Sequence, residues 1–198
     1  FGGRDGRGLS RGDRFDLHGT EIHVPQHANG FGVWPHLLAE DGDNAGAARV
    51  MAAGAQDDTT WTSRAAYAAR ADDQPALRAL YREIRDDASA RTAQRQYLLG
   101  QIAEMIERKA EALEWYRGIG HGEDRWFEAQ VRAAAVLAGL DRLDEARSLL
   151  HRLAEDVAGD PQQQRNAWLV EADLLAEGNR LADARAVYDR ALAAQPLV

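Results

Sequence analysis

Tyr97-Leu98-Leu99-Gly100-Gln101-Ile102-Ala103-Glu104, followed by Ala112-Leu113-Glu114-Trp115-Tyr116, is the stretch that decides how this 198-residue chain is read. Apolar residues recur in it three and four positions apart, which is the period of a helix with one buried face. Ala112 and Tyr116 form a pair, a small residue with a large apolar one a turn later. The same pair returns at Ala47/Met51, Ala76/Leu80, Ala146/Leu150 and Ala184/Tyr188, with gaps between the alanines of 29, 36, 34 and 38 residues. Nine positions before each alanine stand Leu38, Tyr67, Ala103, Leu137 and Leu175, so a helix with a buried position of its own precedes each one. A repeat of about 34 residues is the length of a helical hairpin stacked on its neighbours.

The residue types suit that arrangement. Where two antiparallel helices cross, a side chain larger than a methyl would push the axes beyond about 8 to 10 Å. The large residue one turn on fills the space between hairpins. β-branched residues are sparse, which argues against strands. Asp160-Pro161-Gln162-Gln163 combines an N-cap, a proline in the first turn and a capping-box glutamine, so its helix starts early and the gap of 38 is explained. The second helices are expected to start at Asp73 ahead of Pro75, at Asp141 and at Asn179. The first unit's leading helix is confined to residues 34–40, because Gly30, Gly32 and Pro35 interrupt anything longer.

Residues 1–30 are of another kind. Seven glycines, four arginines and three histidines are scattered there without period, so this stretch is expected to be a disordered or irregular tail, with the repeat domain at 31–198. The tail's charges cancel, which leaves the net −8 to the repeats and disfavours an electrostatic nucleic-acid surface. No run of apolar residues is long enough to insert in a membrane. Without a cysteine the chain has no disulfide, thiolate metal site or cysteine nucleophile.

The search for chemistry ends in alternatives that are structural. His18, His23, His27 and His36 cluster, but Pro25 breaks the helix that would bring His23 and His27 to one metal. His121 reads as a loop residue and His151 as a surface residue. Asp41-Gly42-Asp43-Asn44-Ala45-Gly46 begins like a calcium loop, yet Ala45 and Ala52 stand where oxygen ligands belong, so it reads as a helix-to-helix turn. None of the four serines lies in a nucleophile elbow, and the only lysine is Lys109. The acidic pairs Asp57-Asp58, Asp72-Asp73 and Asp86-Asp87 fall at expected helix ends. The expectation is a chain that is not an enzyme and takes no cofactor or metal.

The spacing resembles the tetratricopeptide repeat family. Leu99, Gly100, Ala112 and Tyr116 match its pattern in one unit, and Trp168, Leu175, Ala184, Tyr188, Ala191 and Pro196 in the last. Ser63 and Glu171 depart from it, at the position where Leu99 stands, and Ile106-Glu107-Arg108 lacks the usual Gly or Asn between helices. The resemblance implies an all-α fold, a right-handed α-solenoid of about five antiparallel helix hairpins, truncated at both ends. It also implies a groove lined by the first helix of each unit, here Gln94, Tyr97, Gln101, Glu104 and Met105, then Glu128 and Val131, then Asn166, Leu169, Asp173 and Glu177. Such a groove implies a scaffold binding a protein or peptide, neutral or basic with apolar anchors. The stretches 97–104 and 112–116 are further similar to proteobacterial repeat lipoproteins that act as adaptors of a C-terminal processing protease. That likeness implies a periplasmic protease as partner and a periplasmic or outer-membrane-attached location. The alternatives are a substrate-recruiting arm of a larger enzyme and a cytoplasmic regulatory or assembly protein. Self-association through uncapped repeat ends is a further expectation.

Overall fold

The structure is a computed structural model and describes residues 14–15, 21–22, 34–89 and 91–193. Among the described residues ten helices follow one another: α1 (Trp34–Glu40), α2 (Asn44–Ala52), α3 (Asp58–Arg70), α4 (Gln74–Asp86), α5 (Ala93–Met105), α6 (Lys109–Arg117), α7 (Trp126–Ala138), α8 (Leu143–Asp156), α9 (Pro161–Glu177) and α10 (Leu181–Ala193). Each packs on the helix before it and the helix after it, giving an all-α helical repeat solenoid of five hairpins. α1 fills the span the sequence left open for it. A two-residue antiparallel ladder pairs β1 (Arg14–Phe15) with β2 (Glu21–Ile22), Arg14 opposite Ile22. The rest of the 1–30 segment, with His18, His23 and His27, lies outside the described residues.

All five hairpins close in the same way. The first helix of each ends in a residue with positive φ, successively Gly42, Asp72, Glu107, Asp141 and Asn179. The next amide then reaches back to a carbonyl in the last turn: Asp43 to Leu38, Asp73 to Ala68, Arg108 to Ala103, Arg142 to Leu137 and Arg180 to Leu175, at 2.7 to 2.9 Å. This is a Schellman closure, which satisfies carbonyls that a helix end would otherwise leave bare. Only Gly42 is a glycine, so the other four turns hold a side chain in the left-handed region.

These turns set the phase of the repeat and correct the sequence reading in the second unit. There the equivalent pair is Leu77 and Tyr81, one residue later than Ala76 and Leu80, and the residue of the preceding helix that accepts in the closing turn is Ala68, next to Tyr67, which is buried as expected. Leu80 is buried too, so hydrophobicity alone supports either phase. Asp73 caps α4 as expected, accepting from the Ala76 amide at 3.0 Å, and Asp160 caps α9 through the Gln162 and Gln163 amides. Asp141 and Asn179 are not caps. They take the left-handed position, and Arg142 and Arg180 stand where a cap would.

Small residues sit where helices cross. Ala103, Ala112, Ala133, Ala134, Ala146, Ala167 and Ala172 have no exposed surface. At Gly100 even a Cβ would enter the ring of Tyr116. One continuous core runs from Trp61 to Ala167, flanked by smaller clusters in α2–α3 and α9–α10.

Counting back from the closing turns, the position of Leu99 is taken by Arg64 in the second unit, where the sequence pointed to its neighbour Ser63, and by Glu171 in the last. Arg64 forks onto Glu83 of α4 at 2.6 and 2.8 Å, and the Trp61 indole donates to the same carboxylate at 3.0 Å. Glu171 is 2% exposed. Its Oε1 lies 3.4 Å from Arg147 Nε of α8, and its Oε2 has no partner. Arg95, also buried, reaches Asp58 at 3.0 Å and Asp87 at 2.9 Å and lies over the Trp61 ring, tying the start of α3 to that of α5.

Candidate protein-binding groove

First helices α5, α7 and α9 lie side by side, and between them opens a pocket of about 370 Å³. Tyr97 of α5 forms one wall; Phe127 and Val131 of α7 lie in the middle; Leu169 and Val170 of α9 face them, with Glu128, Arg132 and Asn166 at the rim. These side chains reach one cleft because each occupies the face of its helix opposite the buried alanines, Ala129, Ala133 and Ala134 on α7 and Ala167 on α9.

Of the residues expected to line a groove, the structure brings Tyr97, Glu128, Val131, Asn166 and Leu169 together. Glu104 lies about two turns along α5 from Tyr97 and accepts from the Tyr116 hydroxyl, with Arg132 3.7 Å away. Gln94 accepts from Arg125 Nε at 2.9 Å. Asp173 accepts from the Tyr188 hydroxyl, and Glu177 lines a separate hollow with Ala135 and Leu174. Gln101 is half-buried, and Met105, 38% exposed, stands at the end of α5, where its carbonyl accepts from Gln74. Phe127, Arg132 and Val170 escaped the sequence reading, although Phe127 directly precedes Glu128 and Val170 directly follows Leu169.

Around the pocket two carboxylates, Glu104 and Glu128, each have a guanidinium 3.7 Å away. The Tyr97 ring lies against the Tyr116 ring with centroids 5.7 Å apart, and Arg125 covers it at 5.7 Å while sitting 3.7 Å from Glu128. Burial, and then the hydrogen bond that its O–H donates to the Glu104 carboxylate, pushes the Tyr116 hydroxyl far above the usual phenol range. That tyrosine therefore stays neutral and holds Glu104 in place. The pocket is an apolar floor framed by opposite charges that already satisfy one another.

Solved structures share this architecture. A structure described as YrrB, a TPR protein with an unusual peptide-binding site, is 18% identical, with a TM-score of 0.55 over 85% of this chain and 87% of that one. Putative kinesin light chain TPR-like repeats from Podosopora anserina give 0.61 at 11% identity, over 82% and 91%, and MamA gives 0.56 at 16%, over 87% and 96%. The fold is that of tetratricopeptide proteins. No protein-family model and no curated protein matches the chain.

The remaining polar candidates have local roles. Asp43 accepts from the Gly46 amide at 2.7 Å, making 41–46 the turn of the first hairpin. His36 Nδ1 lies 2.8 Å from the Tyr67 hydroxyl, His121 packs edge-on against Trp126, and His151 is 3.6 Å from Glu155. Among the described residues no three His, Cys, Asp or Glu side chains are grouped to hold a metal, and no helix is long and apolar enough to cross a membrane.

Proposed function

We propose that the pocket between α5, α7 and α9 binds a segment of a partner protein by an apolar side chain, with no net charge demanded of that segment. The observation that carries the reading is the lining itself: the large apolar side chains of Tyr97, Phe127, Val131, Leu169 and Val170 converge from three helices on one open cleft. Apolar groups from three different helices pack on the core with one side and leave the other open, and a partner's side chain gains by covering that open side. Paired charges at the rim leave neither sign in excess, so a neutral segment is favoured over a basic one.

The protease-adaptor reading is narrower and is not adopted. In its stretches Leu98, Leu99, Gly100, Ile102 and Ala103, with Ala112, Leu113 and Tyr116, are buried, so the shared letters serve packing inside the hairpin. A random peptide display library panned on the protein tests the groove. Enrichment of peptides with a common apolar residue is expected, and Val131→Glu with Leu169→Glu should lower their affinity by about tenfold or more, with folding stability changed by about 1 kcal/mol or less. Enriched peptides that bind this variant as tightly as the wild type would place binding elsewhere.

A further inference from the structure

Helix α8 is covered along one flank by α9. Leu143 rests against Gly178 so closely that a Cβ there would collide with it, Arg147 meets Glu171, and Leu150 and Ala154 are fully enclosed. The Ala154 carbonyl also accepts from Gln164 at 2.9 Å. The closing turns make Arg142 and Arg180 equivalent, so the matching flank of α10 is Leu181, Arg185, Tyr188 and Leu192. Here the apolar ends are bare: Leu181 is 63% exposed and Leu192 64%. Arg185 and Asp189 between them are exposed and engage no ion pair among the described residues.

This flank continues an interface the chain already builds once, and its pattern is complementary to itself. We infer that α10 is a self-association surface, on which the α10 of a second copy lies antiparallel about a two-fold axis. Leu181 and Leu192 are placed symmetrically about Ala186–Val187, and Arg185 and Asp189 share nearly the same midpoint. One antiparallel register therefore sets Leu181 on Leu192 of the second copy and Arg185 beside its Asp189, and the two-fold axis makes each contact twice. The pair of Arg185 with that aspartate repeats what Arg147 and Glu171 do within the chain. A parallel pairing would instead oppose Arg185 to Arg185, so the charges choose the orientation. The inference is independent of the groove reading, because none of these residues lines the pocket between α5, α7 and α9.

Sedimentation velocity across a concentration series tests it on the full 198-residue chain. A reversible monomer–dimer equilibrium is expected, and Leu181→Glu with Leu192→Glu should abolish the dimer while circular dichroism keeps the wild-type helix signal. Arg185→Asp and Asp189→Arg should each weaken the dimer by about tenfold, and the two together should restore it. A monomer at every concentration overturns the proposal. So does a dimer indifferent to the leucine changes, one lost in the groove variant instead, or a charge exchange that fails to rescue.

Discussion

The third hairpin and the joint between the fourth and fifth solve one packing problem with opposite materials. In the third, Leu99 and Gly100 let α5 settle on Tyr116, and the fit is apolar, with the phenol's oxygen led out to Glu104. At the later joint the residue equivalent to Leu99 is Glu171, buried with one oxygen against Arg147 and the other unsatisfied. The second unit lies between these cases, since Arg64 at the same position has a forked, well-placed partner in Glu83. An apolar fit gains from every atom removed from water, whereas a buried charge must recover its desolvation cost from its partners. The repeat therefore tolerates a charge at this position only as well as the neighbouring helix answers it.

The comparison breaks most visibly at Tyr116. Replacing it with alanine removes the ring that Gly100 was shaped to receive, and chemical denaturation should show a loss of about 3 to 5 kcal/mol. Arg64→Ala comes next. It leaves Glu83 half-buried without its guanidinium, and a loss of about 2 kcal/mol is expected at neutral pH. Hydrogen bonds from Arg64, helped by Trp61, hold the Glu83 carboxyl below its usual range despite burial. A carboxyl with a lowered folded value stabilises the fold fully above the unfolded value of about 4.3 and loses that contribution as pH falls through the folded one. Stability of the wild type should thus be flat from neutral pH down to about pH 5 and fall below about pH 4, with a shallower fall in Arg64→Ala. The smallest effect sharpens the contrast by changing sign: Glu171→Leu should raise stability by about 1 kcal/mol, because Arg147 is left with water at its half-exposed head. A lower melting temperature for that variant would mean the ion pair outweighs the orphaned oxygen.

How much of this was legible in the letters follows from what each feature depends on. Helices α5 to α9 could be read because capping residues, proline and the spacing of alanines act within a few residues, as at Asp160-Pro161. The second unit was read one residue out of phase because Ala76, Leu77, Leu80 and Tyr81 are all plausible core residues. The deciding hydrogen bond, from Asp73 to Ala68, is a property of backbone geometry. Groove residues separated in the same way. Tyr97, Val131 and Leu169 were found through their repeat positions, but the partners of Glu104, the Tyr116 hydroxyl of α6 and Arg132 of α7, come from other helices and are not legible in the letters, whereas Arg125 and Glu128 stand only three residues apart.

The five closing turns have a consequence for how the chain acquires its shape. Each is sealed by an amide and a carbonyl that are near neighbours along the chain, from Leu38 and Asp43 to Leu175 and Arg180, so closing a hairpin costs little loop entropy and requires nothing from distant residues. Contacts between hairpins join units that are adjacent in sequence as well. Folding can then begin at whichever hairpin closes first and spread in both directions, with the well-packed third unit as the natural seed. Amide exchange would record this as a gradient, slowest around Leu99 and Tyr116 and faster toward α1 and α10, rather than as a single cooperative block.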